Sequence, residues 1–198
     1  MRTALIGVLS LVILISCNNS KQENKTETKS VSIHSNSFNA SVQSALDSYH
    51  ALTEAFVNWD SATVDKKAAE LRLKLDSINF YGFTPASITA PVDTLNLAKN
   101  DLQAMTTAKD IFSKRQALNT LSQRIYSFLN TVQYDEKKIY LQECPMAFNN
   151  EATPGMWLSR NEAIRNPYMG LHHPKYGKAM IECGDTKDSV NFTGATAL

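Results

Sequence analysis

Along the first half of the folded chain, apolar residues recur in alternating steps of four and three. From Phe38 they fall at Val42, Ala45, Tyr49, Leu52, Phe56 and Trp59, which is one face of a helix. Asp60 and Ser61 then offer a cap, and a second stripe follows at Val64, Ala68, Leu71, Leu75 and Ile78. The link between the two is a few residues, so the helices should lie antiparallel. The stretch "NFYGFTPASITAP", residues 79–91, breaks the pattern with Gly82, Pro85 and Pro91. Its aromatic residues Phe80, Tyr81 and Phe83 are expected to fold back over one end of the helices. A third helix is predicted from Val92 to Ala108, with Leu95, Ala98, Leu102 and Met105 inward. A fourth is predicted from Lys109 to Val132, with Leu118, Leu121, Ile125, Phe128 and Val132 inward. The aromatic residues of the first stripe are core residues, and His50 beside them is structural or exposed.

After Val132 the period is lost. "KKIYLQECPM" alternates weakly and predicts a short strand or an extended segment. Beyond it Pro145, Pro154, Gly155, Pro167, Gly170, Pro174, Gly177 and Gly184 punctuate the chain. One short helix is expected over 159–164, with Ser159 as cap and Glu162 three residues on. The fold class is therefore mainly α: an antiparallel four-helix bundle (38–132) with an ordered, loop-rich C-terminal region (133–198), together one domain over 38–198. A long loop that is conformationally specified is more often functional than a bare linker.

The N-terminus is of another kind. "MRTALIGVLSLVILISC" has one basic residue and then a short apolar run, placed like a signal-peptide core over residues 1–16. Its end, Leu14-Ile15-Ser16-Cys17, resembles the bacterial lipobox, which implies cleavage before Cys17 and a diacylglycerol on that residue. Acyl chains would hold the protein on a membrane without a spanning helix. Asn18 after the cysteine points towards the outer membrane, so the expected location is the cell envelope, facing the periplasm. Residues 17–37 then form a polar tether, too poor in apolar residues to fold, in which His34 is expected to be solvated.

Composition narrows the function. The chain has 198 residues, 43% hydrophobic and 20% charged, with 20 basic and 19 acidic side chains. Loss of Arg2 with the signal peptide balances the charges, which leaves no basic footprint for nucleic acid. No HExxH, CxxC, GxSxG or Gly-rich phosphate loop occurs. No acid/base or nucleophile constellation supports an enzyme.

Sulfur is concentrated late in the chain. Met146, Met156, Met169 and Met180 lie between Cys144 and Cys183, and His172 and His173 sit in the same segment. An extended Cys144-Pro145-Met146 would put both sulfur-bearing side chains on one face. A helical turn over Met180 to Cys183 would do the same. Thiolate and thioether sulfur select Cu(I), and imidazole would widen the choice to Cu(II) or Zn. The residues equally allow a Cys144–Cys183 disulfide, natural in an oxidising compartment and worth about 4 kcal/mol on the chain-entropy model. The methionines would then be packing residues. A cysteine nucleophile would need His172 or His173 against a thiol, and nothing in the sequence fixes that geometry.

The motifs "CPMAFNN", "GMWLS", "IRNPYMG" and "AMIECG", with "YHALTEAFVNWD" and "AAELRLKLDSI" before them, resemble a bacterial family of unknown function, domain-of-unknown-function family 3347. It occurs as small lipoproteins and as a C-terminal extension of copper/silver-type heavy-metal efflux adaptor subunits. The segment "LHHPKYGK", residues 171–178, departs from the family pattern, so His172 and His173 transfer least. The resemblance implies metal handling, with copper as the cofactor and an efflux adaptor as partner. Cys144, Met146, Met180 and Cys183 are the expected ligands, and Met156, Met169, His172 and His173 are further candidates. Asn166, Trp157 and Tyr168 are expected to hold the loop. The other expectation is a non-enzymatic interaction lipoprotein stapled by a Cys144–Cys183 disulfide.

Overall fold

A computed structural model describes residues 31–148 and 152–194. Four helices come first: α1 (Asn36–Val57), α2 (Ser61–Asp76), α3 (Pro85–Thr107) and α4 (Ile111–Thr131). Three strands follow: β1 (Ile139–Phe148), β2 (Thr153–Ser159) and β3 (Asp185–Val190). The fold is mainly helical, with one small antiparallel sheet of order β2-β1-β3. Each helix packs on the next in sequence, and α4 also packs on β2.

Each helix begins at a side chain that accepts an otherwise orphan N–H. Ser35, Asp60, Thr84 and Asp110 accept from Phe38, Thr63, Ser87 and Ser113. These caps set the starts, and two differ from the periodicity. The fourth helix begins at Ile111, after Asp110, and not at Lys109. The third begins at Pro85, seven residues before Val92. Thr84 and Ser87 form a reciprocal capping box there, and Pro85 occupies the first turn, where its missing N–H costs nothing. Pro91 is carried inside the helix with its ring buried, and that packing offsets the lost ladder bond.

The apolar stripes are the core. Tyr49, Leu52, Phe56, Val64, Leu71, Leu102, Met105, Leu118 and Leu121 are buried together. Trp59 is the exception in the first stripe. It lies past the end of α1 in a left-handed conformation (φ 57°), and its indole Nε1 donates to the Met169 carbonyl at 3.0 Å. Phe80 and Phe83 cover one end of the helices against Phe38, while Tyr81 points into solvent. The end of the polar N-terminal stretch is docked here too. Ser32 Oγ and the Ile33 N–H donate to the Asp135 carboxylate at 2.7 and 2.8 Å, and the His34 ring stacks on Phe83. His34 is thus packed, not merely solvated. The remainder of the tether, the signal sequence and Cys17 lie outside the described residues.

The C-terminal region is a sheet with its connections: β1 falls on the stretch expected to be a short strand or extended, and β2 and β3 fall where loop was expected. β1 is the central strand, and Tyr140 to Cys144 pair in regular register with Ser159 to Gly155 of β2. The outer edge of β2 is covered by helix side chains. The Met156 N–H donates to Asn119 Oδ1 at 2.9 Å, and the Leu158 N–H to the Tyr49 hydroxyl at 3.0 Å. This satisfies an edge that would otherwise expose unpaired backbone. The short helix expected over 159–164 is absent, and that stretch is a bend. Ser159 ends β2, and its hydroxyl bonds the Asn161 backbone instead of capping a turn. The buried Gln142 amide donates to the carbonyls of Asn161 and Glu162, which a helix would have needed.

Candidate functional site

The candidate site grows from the end of β1. Cys144 is fully buried and stands opposite Gly155 on β2. Any Cβ at position 155 would fall 2.9 Å from the Tyr168 ring and 2.8 Å from the Ala147 Cβ, so glycine makes room for that ring on the sheet. Tyr168 is held there by its hydroxyl, which donates to the Met156 carbonyl at 2.5 Å. After Cys144 the register shifts before Phe148 pairs with Thr153. Pro145 and Met146 lie in this bulge, where proline's missing N–H is tolerated. The segment is extended, as expected, but the bulge replaces simple side-chain alternation.

Cys183 arrives from the other end of the chain on a hydrogen-bonded hub. The side chain of Asn166, fully buried, accepts from the N–H groups of Tyr168 (2.8 Å) and Met169 (3.0 Å). Its amide donates to the Cys183 carbonyl at 2.6 Å, and its backbone N–H to the Ile181 carbonyl at 2.8 Å. The turn from Met180 to Cys183 closes with a 3.1 Å bond from the Cys183 N–H to the Met180 carbonyl. Gly184 follows at φ 141°, where a Cβ would lie 2.6 Å from the Glu143 carbonyl oxygen. Only a residue without a side chain can make that entry into β3.

These elements bring the two cysteine side chains together. Both are free thiols, with Cys144 buried and Cys183 half-buried. Burial pushes the Cys144 thiol above its ordinary range. The Asn166 amide and the Met146 backbone N–H pull it back, and the adjoining Cys183 thiol pushes it up again. The sulfur of Cys144 therefore faces two donors and a second sulfur. Met146 and Met180 are both half-buried against the same core as Cys183. The structure thus brings the two thiols together, with Met146 two residues beyond Cys144 on β1 and Met180 at the start of the turn that ends at Cys183. Among the described residues, no three His, Cys, Asp or Glu side chains stand together as a metal-holding group. A metal centre at this place would have to draw on thioether sulfur.

The histidines go elsewhere. His172 is exposed. His173 closes its own turn, with Nδ1 facing the Lys175 N–H at 3.1 Å, and its ring packs against Tyr176 and Trp59. Met169 is buried under the Trp59 indole contact, and Met156 is half-buried on β2.

One residue of the site's support escaped the sequence reading. Arg115 lies on the buried face of α4, one turn before Leu118. Its Nε donates to the Pro167 carbonyl and its Nη2 to the Phe56 carbonyl, each at 3.1 Å, and its guanidinium sits 3.8 Å from the Trp59 ring centroid. Burial lowers its pKa to about 9. It straps the Asn166 loop to α1. A charged residue at a stripe position was the available signal.

No described helix is long and apolar enough to cross a membrane. A family model described as a protein of unknown function (DUF3347) matches residues 45–137. The match runs from α1 through α4 and stops before β1, so the sulfur-bearing sheet lies outside it. No curated protein and no solved structure matches the chain.

Proposed function

This chain belongs to that family of unknown function, which hands down no activity, and we propose from its own residues that it is a soft-metal-binding lipoprotein of the cell envelope. The metal is Cu(I). Its ligands are Cys144 and Cys183, completed by Met146 and Met180. One observation carries this reading: the buried Cys144 sulfur adjoins the Cys183 thiol and the Met146 N–H, and each cysteine has a methionine within three residues along the chain. Thiolate with thioether favours a soft monovalent ion over hard divalent ones. His172 and His173 are not part of this set. The four helices, taken as an antiparallel up-down bundle from their short links, are the platform. Cys17 carries the lipid anchor, in the outer membrane facing the periplasm. The role is binding, not catalysis, with a heavy-metal efflux adaptor as the partner.

A second reading shares the same observation. Two thiols that adjoin are placed for a Cys144–Cys183 disulfide, which would staple β1 to the Asn166 loop and make the protein an interaction module. Competition for Cu(I) against a chromophoric chelator, before and after reduction, separates the two. Binding lost in the Cys144→Ser/Cys183→Ser variant and weakened in Met146→Leu/Met180→Leu supports the metal site. Undiminished affinity in the double serine variant rules it out.

A further inference from the structure

A cavity lined by none of the sulfur-bearing residues lies between α1 and the bend after β2. It encloses about 200 Å3 and is lined by His50 and Glu54 on one side, Arg160 and Arg165 on the other, with Trp157 among the apolar walls. Two nitrogens in this lining, His50 Nε2 and Arg160 Nε, are buried without a hydrogen-bond partner among the described residues. The other guanidinium contacts are committed. Arg160 Nη2 pairs with Asp47, and Arg165 holds Glu54 through Nη2 and, at 2.8 Å, through Nε. A buried polar atom without a partner is costly, and two such atoms on one cavity call for a partner from outside the chain.

The chemistry of the two nitrogens selects that partner. Arginine Nε can only donate. His50 is kept neutral by burial and by the neighbouring Arg160, its pKa lowered to about 4, and a neutral imidazole with its proton on Nε2 also donates. Two donors in the lining of one cavity complement one carboxylate, whose two oxygens only accept. Because Asp47 and Glu54 already balance the two arginines, the cavity suits a singly charged group better than sulfate or phosphate. Its volume takes a short carbon chain. We propose that this cavity is a binding site for a small monocarboxylate, held by Arg160 Nε and His50 Nε2 against Trp157.

The test uses the full-length chain in non-ionic detergent, with sodium propionate as the probe. The His50 ring resonances are followed by NMR against sodium chloride and sodium sulfate at matched ionic strength, and are assigned with His50→Gln. Saturable shifts with propionate alone are expected. Arg160→Lys keeps the charge but loses the Nε donor, and should weaken binding about tenfold as read by calorimetry. His50→Gln, which keeps a donor, should bind better than His50→Leu, and thermal melts confirm that each variant is folded. Binding should persist in Cys144→Ser/Cys183→Ser, so its outcome is separate from that of the metal site. No saturable shift, an equal response to chloride or sulfate, or full affinity in a folded Arg160→Lys variant overturns the assignment.

Discussion

At the scale of single residues, Asn166 does the most to shape the sulfur cluster. It occupies two N–H groups and one carbonyl of the segment that carries Cys183, and its amide also faces the Cys144 sulfur. Asn166→Ala would leave these groups without partners inside the fold, at a cost of about 3 kcal/mol, readable by urea unfolding. Asn166→Asp keeps the acceptor for Tyr168 and Met169 but removes the donor to Cys183, so it should lose less. It should still loosen Cys183, seen as faster thiol labelling. Gly155→Ala should be costly for a steric reason, since its methyl would enter the Tyr168 ring; about 2 kcal/mol is expected from overpacking. His50 supplies the pH dependence. Its folded pKa is depressed to about 4, mainly by burial and then by Arg160, with Asp47 opposing. The unfolded chain therefore takes up a proton near pH 6.5 that the folded chain refuses. The stability present above pH 6.5 should fall as pH drops through 4, by on the order of 3 kcal/mol. His50→Leu should flatten that part of the profile, and an unchanged slope would contradict the burial argument.

At the scale of elements, the helices were legible, and of the sheet only β1 was. Every stripe residue from Val64 to Ile78, and from Leu118 to Val132, is in the core. Helix starts were set by caps rather than by periodicity, so Pro85 and Pro91 looked like a break although Thr84 begins α3 ahead of them. The sheet left no clean period-two trace. β1 holds a bulge at Pro145, β2 holds Pro154 and Gly155, and β3, "DTKDSV", is polar because it is an exposed edge. The sequence did mark Cys144, Cys183 and Asn166 as one region. It held no sign that Gln142 would tie down the bend where a helix was expected. What joins the two layers is a few polar side chains reaching across. Tyr49 is the clearest, with its hydroxyl 2.7 Å from Ser122 Oγ on α4 and 3.0 Å from the Leu158 N–H on β2. Tyr49→Phe should cost about 1–2 kcal/mol and speed amide exchange at Leu158 without changing the helices, which hydrogen-exchange mass spectrometry would show.

At the scale of the whole molecule, the account is of a helical platform that carries a small sheet, with two thiols brought together from residues 39 positions apart. The Arg115 strap and the Asn166 hub hold that arrangement, and Arg115 ties it to the first helical stripe through Phe56 and Trp59. Because the Cys144 thiol is pushed above its ordinary range, it is protonated at neutral pH. Metal binding must then release that proton. Cu(I) affinity should rise with pH by about tenfold per unit for each thiol displaced, until the thiol's own pKa is passed.

The most direct measurement is that competition titration, made on the full-length chain carrying Cys17→Ser so that no third thiol competes. It is run on the protein as isolated and again after reduction. The account predicts tight one-to-one Cu(I) binding by the reduced chain, lost when Cys144 and Cys183 become serine and weakened when Met146 and Met180 become leucine. No competition with the chelator in either state would contradict it and leave the two cysteines as a staple between β1 and the Asn166 loop.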